Sequence, residues 1–370
     1  MRLRSALSSS AVTALVAGVL TATSLLVAAP AGAATGPACG DVLTVDSVLR
    51  ADLECEDDAL RLAPGVDLDL GGHTIEATGQ FGTAIWVASA GDTQIRRGAV
   101  RGFATGVAIY GVDGRPGGSL RIDRVRFASN IDGVDASGQP GTGAYGKPTT
   151  VTRSVFVDNG RTGINAVQGR PLTVERSVFT ANQTGVFVGD GQAAVTASHF
   201  ERNDAALALT QTRGTVERST FVDNPRAVVT RREASLTVTG STFVGSDVAV
   251  DAEAAEAAVS RSRFLANATA VVVGGAGGSV TDSTFRWNGT TIRLAETPWA
   301  PTLIRGNTFT RNGHGLWLEE ADASVSIGDN EARRNEGWGI RAPGATDLGG
   351  DVAQGNGNDP QCVGVSCARR

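Results

Sequence analysis

Short alternating apolar runs return along the whole chain. Val186-Phe-Val188, Leu207-Ala-Leu209, Val271-Val-Val273 and Leu316-Trp-Leu318 form one set. Leu172-Thr-Val174, Leu236-Thr-Val238 and Ala258-Val259 form a second set, offset within the same repeat. Alternation over a few positions, rich in β-branched residues and bounded by Gly, Asn and Asp, predicts strands. Between Asp67 and the C-terminus no segment keeps a helical period. Helical solenoids and leucine-rich repeats are therefore poor fits.

The runs are phased by two columns. Phe127, Phe156, Phe179, Phe200, Phe221, Phe243, Phe264, Phe285 and Phe309 follow one another at 21 to 29 residues, mostly 21 or 22. An asparagine stands three residues after each Phe, except after Phe243, where Ser246 takes the place. The column outlasts its Phe, with Ala332 before Asn335 and Ala353 before Asn356. A period near 22 predicts a solenoid in which each repeat buries its apolar face on the next. Equivalent strands then pair in parallel, about 4.8 Å apart, so about 12 coils give a rod nearly 60 Å long. The Phe column becomes an internal stack. The Asn column marks sharp turns, where asparagine tolerates the left-handed conformation and bonds nearby backbone, and successive amides can bond one another up the rod.

The pattern Ser-x-Phe-x-x-Asn-x-x-(Gly/Ala)-(Val/Ile/Leu)-x-(Val/Leu) resembles the right-handed parallel β-helix of the pectin-lyase-like superfamily. The opening Cys39-Gly-Asp, with Leu68-Asp-Leu-Gly-Gly-His-Thr-Ile75, is similar to the entry coil of secreted actinobacterial β-helix repeat proteins. The ending Gln361-Cys-Val-Gly-Val-Ser-Cys367 is similar to their close. The resemblance implies an all-β, single-stranded right-handed parallel β-helix. It specifies fold far more than activity, because such solenoids host many chemistries.

Residues 1–33 read as a secretory signal peptide, with Arg2 and Arg4, an apolar run from Ala11 to Ala28, and Ala31-Gly-Ala33 as the cleavage site. The expected order is then an N-terminal cap over 34–64, the β-helix over 65–357 and a disulfide-closed tail over 358–370, with a secreted location. No later segment is long and apolar enough to span a bilayer. The formal net charge of −5, with Lys147 as the single lysine, gives no electrostatic case for nucleic acid. A monomer is expected. Four cysteines allow three pairings, and sequence proximity in an exported chain favours Cys39–Cys55 and Cys362–Cys367 as staples of the terminal coils.

Two Gly- and Pro-rich excursions, over 111–118 and 137–148, interrupt the rhythm on adjacent coils. They overhang an outward row of the second strand that reads Trp86, Ala108, Asp135, Asn165, Phe187, Ala208, Val229, Ala249, Val272, Arg293, Trp317, Arg341. The middle of that row is small and apolar, so chemistry is expected at its ends. At the first end Asp135 and Asn165 are neighbours, and the loops bring Tyr110, Asp113, Arg115, Tyr145 and Lys147. Asp135, Lys147, Tyr145 and Asn165 are the catalytic candidates there. A uronate lyase or epimerase needs a base of this kind and a group that neutralises a carboxylate. Tyr110 and Arg115 are candidate substrate contacts. No cofactor is required, although Asp113 and Asp135 offer oxygen ligands suited to Ca²⁺. At the other end Glu296 and Glu320 occupy equivalent places one coil apart, and Trp317 offers a ring for a sugar. Gly313-His-Gly315 matches a polygalacturonase motif only in part and is what the repeat itself produces.

An arginine column, Arg124, Arg153, Arg176, Arg218 and Arg261, lies three before the Phe; acids precede three of these, so local pairing is expected over capture of an anionic glycan. Two functions remain open. One is binding or modification of a polysaccharide or cell-surface glycan, as a uronate lyase or epimerase, a role implied more by the resemblance than by the residues. The other is a non-catalytic extracellular rod that presents an interaction face.

Overall fold

The computed structural model describes residues 36–368 apart from 80, 111–116, 138–146, 168–169, 254 and 320. The segment expected as a signal peptide and most of both excursions lie outside the described residues. The rest is a parallel β-solenoid of about 14 turns, and no helix occurs among the described residues. The count exceeds 12 because strand Asp41–Leu43 already pairs in parallel with Leu60–Leu62, inside the segment expected as a cap. At the other end Cys362–Val363 still pairs with Ile340–Arg341.

One face is a 12-stranded parallel sheet running from Asp41–Leu43 to Thr290–Leu294, followed by a three-stranded sheet of Leu316–Trp317, Ile340–Arg341 and Cys362–Val363. The remaining perimeter of each coil is built from two shorter strands, such as Pro171–Glu175 and Val178–Thr180, each paired with its equivalents in neighbouring coils. Between the sheets, the column from Phe127 to Phe309 is wholly buried, with ring centroids 4.7 to 5.0 Å apart. That spacing is the strand spacing of the ladder, so stacking and backbone pairing reinforce one another.

The asparagines do not turn the chain themselves. The left-handed residue is the one before each of them: Ser129, Asp158, Ala181, Arg202, Asp223, Ala266, Trp287, Arg311 and Arg334 have φ between 51° and 59°. The turn thereby aims the following asparagine inward, where its side chain satisfies buried backbone. Asn182, for example, accepts from the Asn159 amide at 3.1 Å and from Asn159 Nδ2 at 2.8 Å, and donates to the Phe156 carbonyl at 3.1 Å. The expected bonding between successive amides is present. It begins with Phe103 N–H on Asn130 Oδ1 and ends on Gln361 Oε1. It is broken only where Ser246 replaces Asn, and the buried Ser246 hydroxyl has no partner.

A second ladder follows the serines. Ser154 N–H donates to Ser177 Oγ at 3.2 Å, and the pattern repeats down to Ser283. It then passes to Asn307, Asn330 and finally Asp351. Asp351 Oδ1 accepts from Asn330 N at 2.8 Å and Nδ2 at 3.1 Å, while Oδ2 is buried without a partner. Burial pushes this carboxyl up from its ordinary value, with the Asn330 bonds opposing. Both expected disulfides form and tie down the first and last coils.

Candidate functional site

The register of the 12-stranded sheet fixes which side chains share its outer face. Trp86 pairs with Ala108, Ala108 with Asp135, Asp135 with Asn165, and Asn165 with Phe187. The expected neighbours Asp135 and Asn165 are joined: Asn165 Nδ2 donates to Asp135 Oδ1 at 3.2 Å, and Ser137 N–H donates to the same oxygen at 3.1 Å. Further down, the row differs from expectation at one position. Val229 pairs with Asp251, and Ala249 is buried inside. Asp251 stands eight residues after Phe243, as Val229 and Val272 do after their own Phe, whereas Ala249 stands only six after it, so the uniform count itself puts a carboxylate in the middle of the row.

Beside Asp135 stands a group the alternation did not reveal. Asp132 is almost wholly buried, accepts from Arg161 Nε at 2.9 Å and also accepts from the Thr162 hydroxyl. The Asp132 bond raises Arg161, with burial opposing and the charges of Asp132 and Asp135 adding to the rise. Strict alternation puts residue 132 on the face opposite 135. The pairing skips Gly133, however, with Asp132 on Thr162 and Val134 on Ile164, so both aspartates face outward. A Gly after an outward acid at the start of the strand is the signal that marks this break in period.

Upstream, Trp86 Nε1 donates to Asp58 Oδ2 at 2.7 Å, which pins the indole. The Arg61 guanidinium lies 5.9 Å from the Trp86 centroid and 4.9 Å from that of Tyr110. Tyr110 faces this pair rather than Asp135. Its hydroxyl donates to the Leu62 carbonyl at 2.9 Å, and burial pushes its pKa up, with Arg61 opposing.

Lys147 is 1 % exposed. Its Nζ donates to the Ala88 carbonyl at 3.1 Å and to the Gly91 carbonyl, closing the turn of an earlier coil. Burial lowers its pKa to about 8, with Asp92 opposing. A lowered lysine pKa is a common mark of a catalytic base. Here it follows from enclosure in the wall of the rod. Tyr145, Arg115, Asp113 and Glu320 lie outside the described residues.

At the far end, Trp317 lies in an open groove with Arg293, Leu294 and Glu319. Its ring sits 4.3 Å from that of His314, and its buried Nε1 has no hydrogen-bond partner. His314 Nδ1 accepts from Trp338 N–H at 3.0 Å, which places the ring proton of the neutral form on Nε2. Burial lowers the His314 pKa, with Glu336 opposing. Glu296 is exposed, in a separate groove with Trp299 and Gly275. Among the described residues no group of three or more His, Cys, Asp or Glu is arranged to hold a metal ion.

The family described as "Right handed beta helix region" matches residues 83–255. No curated protein matches the chain significantly. Among solved structures, the periplasmic alginate epimerase AlgG is similar at 12% identity and a TM-score of 0.46, with 87% of this chain and 78% of that one covered. The catalytic unit of a thermostable GH87 alpha-1,3-glucanase from Streptomyces thermodiastaticus strain HF3-3 is similar at 14% identity and a TM-score of 0.37, with 87% and 65% covered. The likeness of both to this chain concerns the path of the backbone. With its parallel ladders, its Phe and Asn columns and the matched region, the chain is a right-handed parallel β-helix repeat protein.

Proposed function

We infer that this chain is an exported polysaccharide-binding protein that holds a glycan along the outer face of its 12-stranded sheet. The row Trp86–Ala108–Asp135–Asn165–Phe187 carries the inference. Trp86 and Phe187 are four strands apart, about 19 Å at 4.8 Å per strand. Between them lies a carboxylate–carboxamide pair able to accept from and donate to sugar hydroxyls, with small Ala108 leaving room above it. Rings at both ends offer flat apolar faces for the C–H faces of sugars. Two disulfides suit the oxidising compartment that export would provide.

Binding is favoured over lyase or epimerase chemistry by the state of two expected participants. The polar atoms of Lys147 and Tyr110 are committed to main-chain carbonyls. A base must reach the proton it removes. The test is retention of a panel of uronate and neutral polysaccharides by the purified chain, with proton NMR of the recovered glycan. We expect retention without new unsaturated or epimerised signals, weakened about tenfold or more in Trp86→Ala and in Asp135→Ala. Absence of retention across the panel, or equal retention by both variants, overturns the binding site. New signals lost in Asp135→Ala would make the site catalytic.

A further inference from the structure

The arginine column is paired with acids, as its flanking residues lead one to expect, but the pairing is uneven. At Arg176 and Arg218 one guanidinium meets one exposed glutamate, Glu175 or Glu217. In the earlier coils two buried aspartates each serve two arginines. Asp69, 3 % exposed, accepts from Arg96 Nε at 3.0 Å and from Arg97. Asp123, 5 % exposed, accepts from Arg124 Nε at 2.9 Å, from Arg153 Nε at 2.8 Å and from the Thr152 hydroxyl at 2.7 Å. Burial alone would raise the Asp123 carboxyl, yet Thr152, Arg153 and Arg124 hold it below its ordinary value. Bonds from Arg97 hold Asp69 at about 2, against burial.

These arginines are 45 to 58 % exposed although their carboxylates are not. A guanidinium has five N–H donors. With one edge turned inward onto aspartate, the others face solvent in a fixed orientation. Arg121, exposed, lies in the same groove with Gln94, Thr152, Arg153 and Arg176, and makes no ion pair among the described residues. Six arginines (96, 97, 121, 124, 153, 176) thus meet three acids (69, 123, 175), a local balance of +3 on a chain whose formal net charge is −5. Arg97, Arg124, Arg153 and Arg176 all have a left-handed backbone, with φ of 57°, 55°, 49° and 49°. Glycine, used at Gly240 in the same column, adopts that conformation without steric cost.

We propose that this ridge is a binding site for a linear anionic polysaccharide, lying along the rod on a face separate from the outer 12-stranded sheet. The arginines repeat at the coil spacing, so carboxylate or sulfate groups on successive sugars meet successive guanidinium groups. Arginine suits both anions, because its planar fork matches two oxygens at once. The proposal stands apart from the binding row through Asp135, since none of its residues lies on that row.

The test is binding of dextran sulfate, polygalacturonate and neutral dextran to the purified chain and to Arg121→Gln/Arg176→Gln. Neither of these arginines contacts a buried aspartate, so folding, checked by circular dichroism, is retained. We expect both charged polymers, or one of them, to bind with an affinity that falls steeply with salt. The double variant should lose about tenfold, while Asp135→Ala keeps that binding. Sulfate against carboxylate preference identifies the source of the anion. Equal binding of neutral dextran, no binding of either charged polymer, or binding lost in Asp135→Ala but kept in the double variant overturns the ridge.

Discussion

Replacing Ser246 with asparagine restores the missing rung of the inner ladder. The site is already shaped for it: Gly245 has φ of 70°, as the left-handed residue before each asparagine does, and Ser246 N–H already donates to Asn267 Oδ1 at 2.9 Å. By the geometry of the neighbouring rungs, the new Oδ1 would accept from Asn224 N and Nδ2. The new Nδ2 would donate to the Phe221 carbonyl, as Asn224 does to Phe200 at 3.0 Å, and to Asn267 Oδ1. Four bonds at about 0.5–1.5 kcal/mol each give roughly 2–6 kcal/mol, from which ordering the side chain removes about 1. The buried hydroxyl without a partner is removed as well. A net gain of about 1–5 kcal/mol is expected. Solenoid unfolding need not be two-state, so a thermal midpoint alone is a blunt readout. Amide exchange is sharper: the Asn224 amide, which has no carboxamide above it in the native chain, should become protected by tenfold or more. If Ser246→Asn lowers the midpoint, or leaves Asn224 exchange unchanged, the ladder is not a source of stability and its regularity has another cause.

Two further outcomes follow from buried ionisable groups. Asp351→Asn removes a buried carboxylate whose Oδ2 has no partner, keeps the oxygen that accepts from Asn330, and should stabilise the last coils by about 1–3 kcal/mol at pH 7. Because the folded pKa of Asp351 is raised, the native chain loses stability as pH rises from about 4 through the folded value, and the variant does not. The gap measured by denaturant midpoints should therefore close on acidification; a gap independent of pH would show that Asp351 is not the group responsible. Lys147 works in the alkaline range. Its folded pKa of about 8 lies below the ordinary 10.5, so stability should rise between those two pH values by at most about 3 kcal/mol, and Lys147→Met should remove that slope. Parallel pH profiles of the two proteins would refute this.

The coil was legible in the sequence because one physical constraint repeats in every turn: a ring every 21 or 22 residues must stack on its neighbours, and the asparagine after it must satisfy backbone. The face of the sheet was legible where strict alternation holds, which is why Asp135 and Asn165 were placed together. It failed where backbone departs from period two, at Gly133 beside Asp132, and at Ala249, which stands six after its Phe where the outward place, held by Asp251, is eight after it. The surroundings of Lys147 were not legible: the sequence places it in a loop beside Asp135 as a catalytic candidate, and only the enclosing turn shows its Nζ donating to the Ala88 and Gly91 carbonyls.

Every amide-to-amide bond of the asparagine ladder runs from a donor on one coil to an acceptor on the next coil toward the C-terminal end. The rod therefore has a direction, and its two ends need different chemistry. The first rung needs a donor, supplied by Phe103 N–H, and the last needs an acceptor, supplied by Gln361. Any internal coil that carries the asparagine is interchangeable with any other in this respect; the coil of Ser246 is not. A duplicated coil would be accepted without redesign of either terminus, so the length of this protein can change by whole turns during evolution while its caps stay the same.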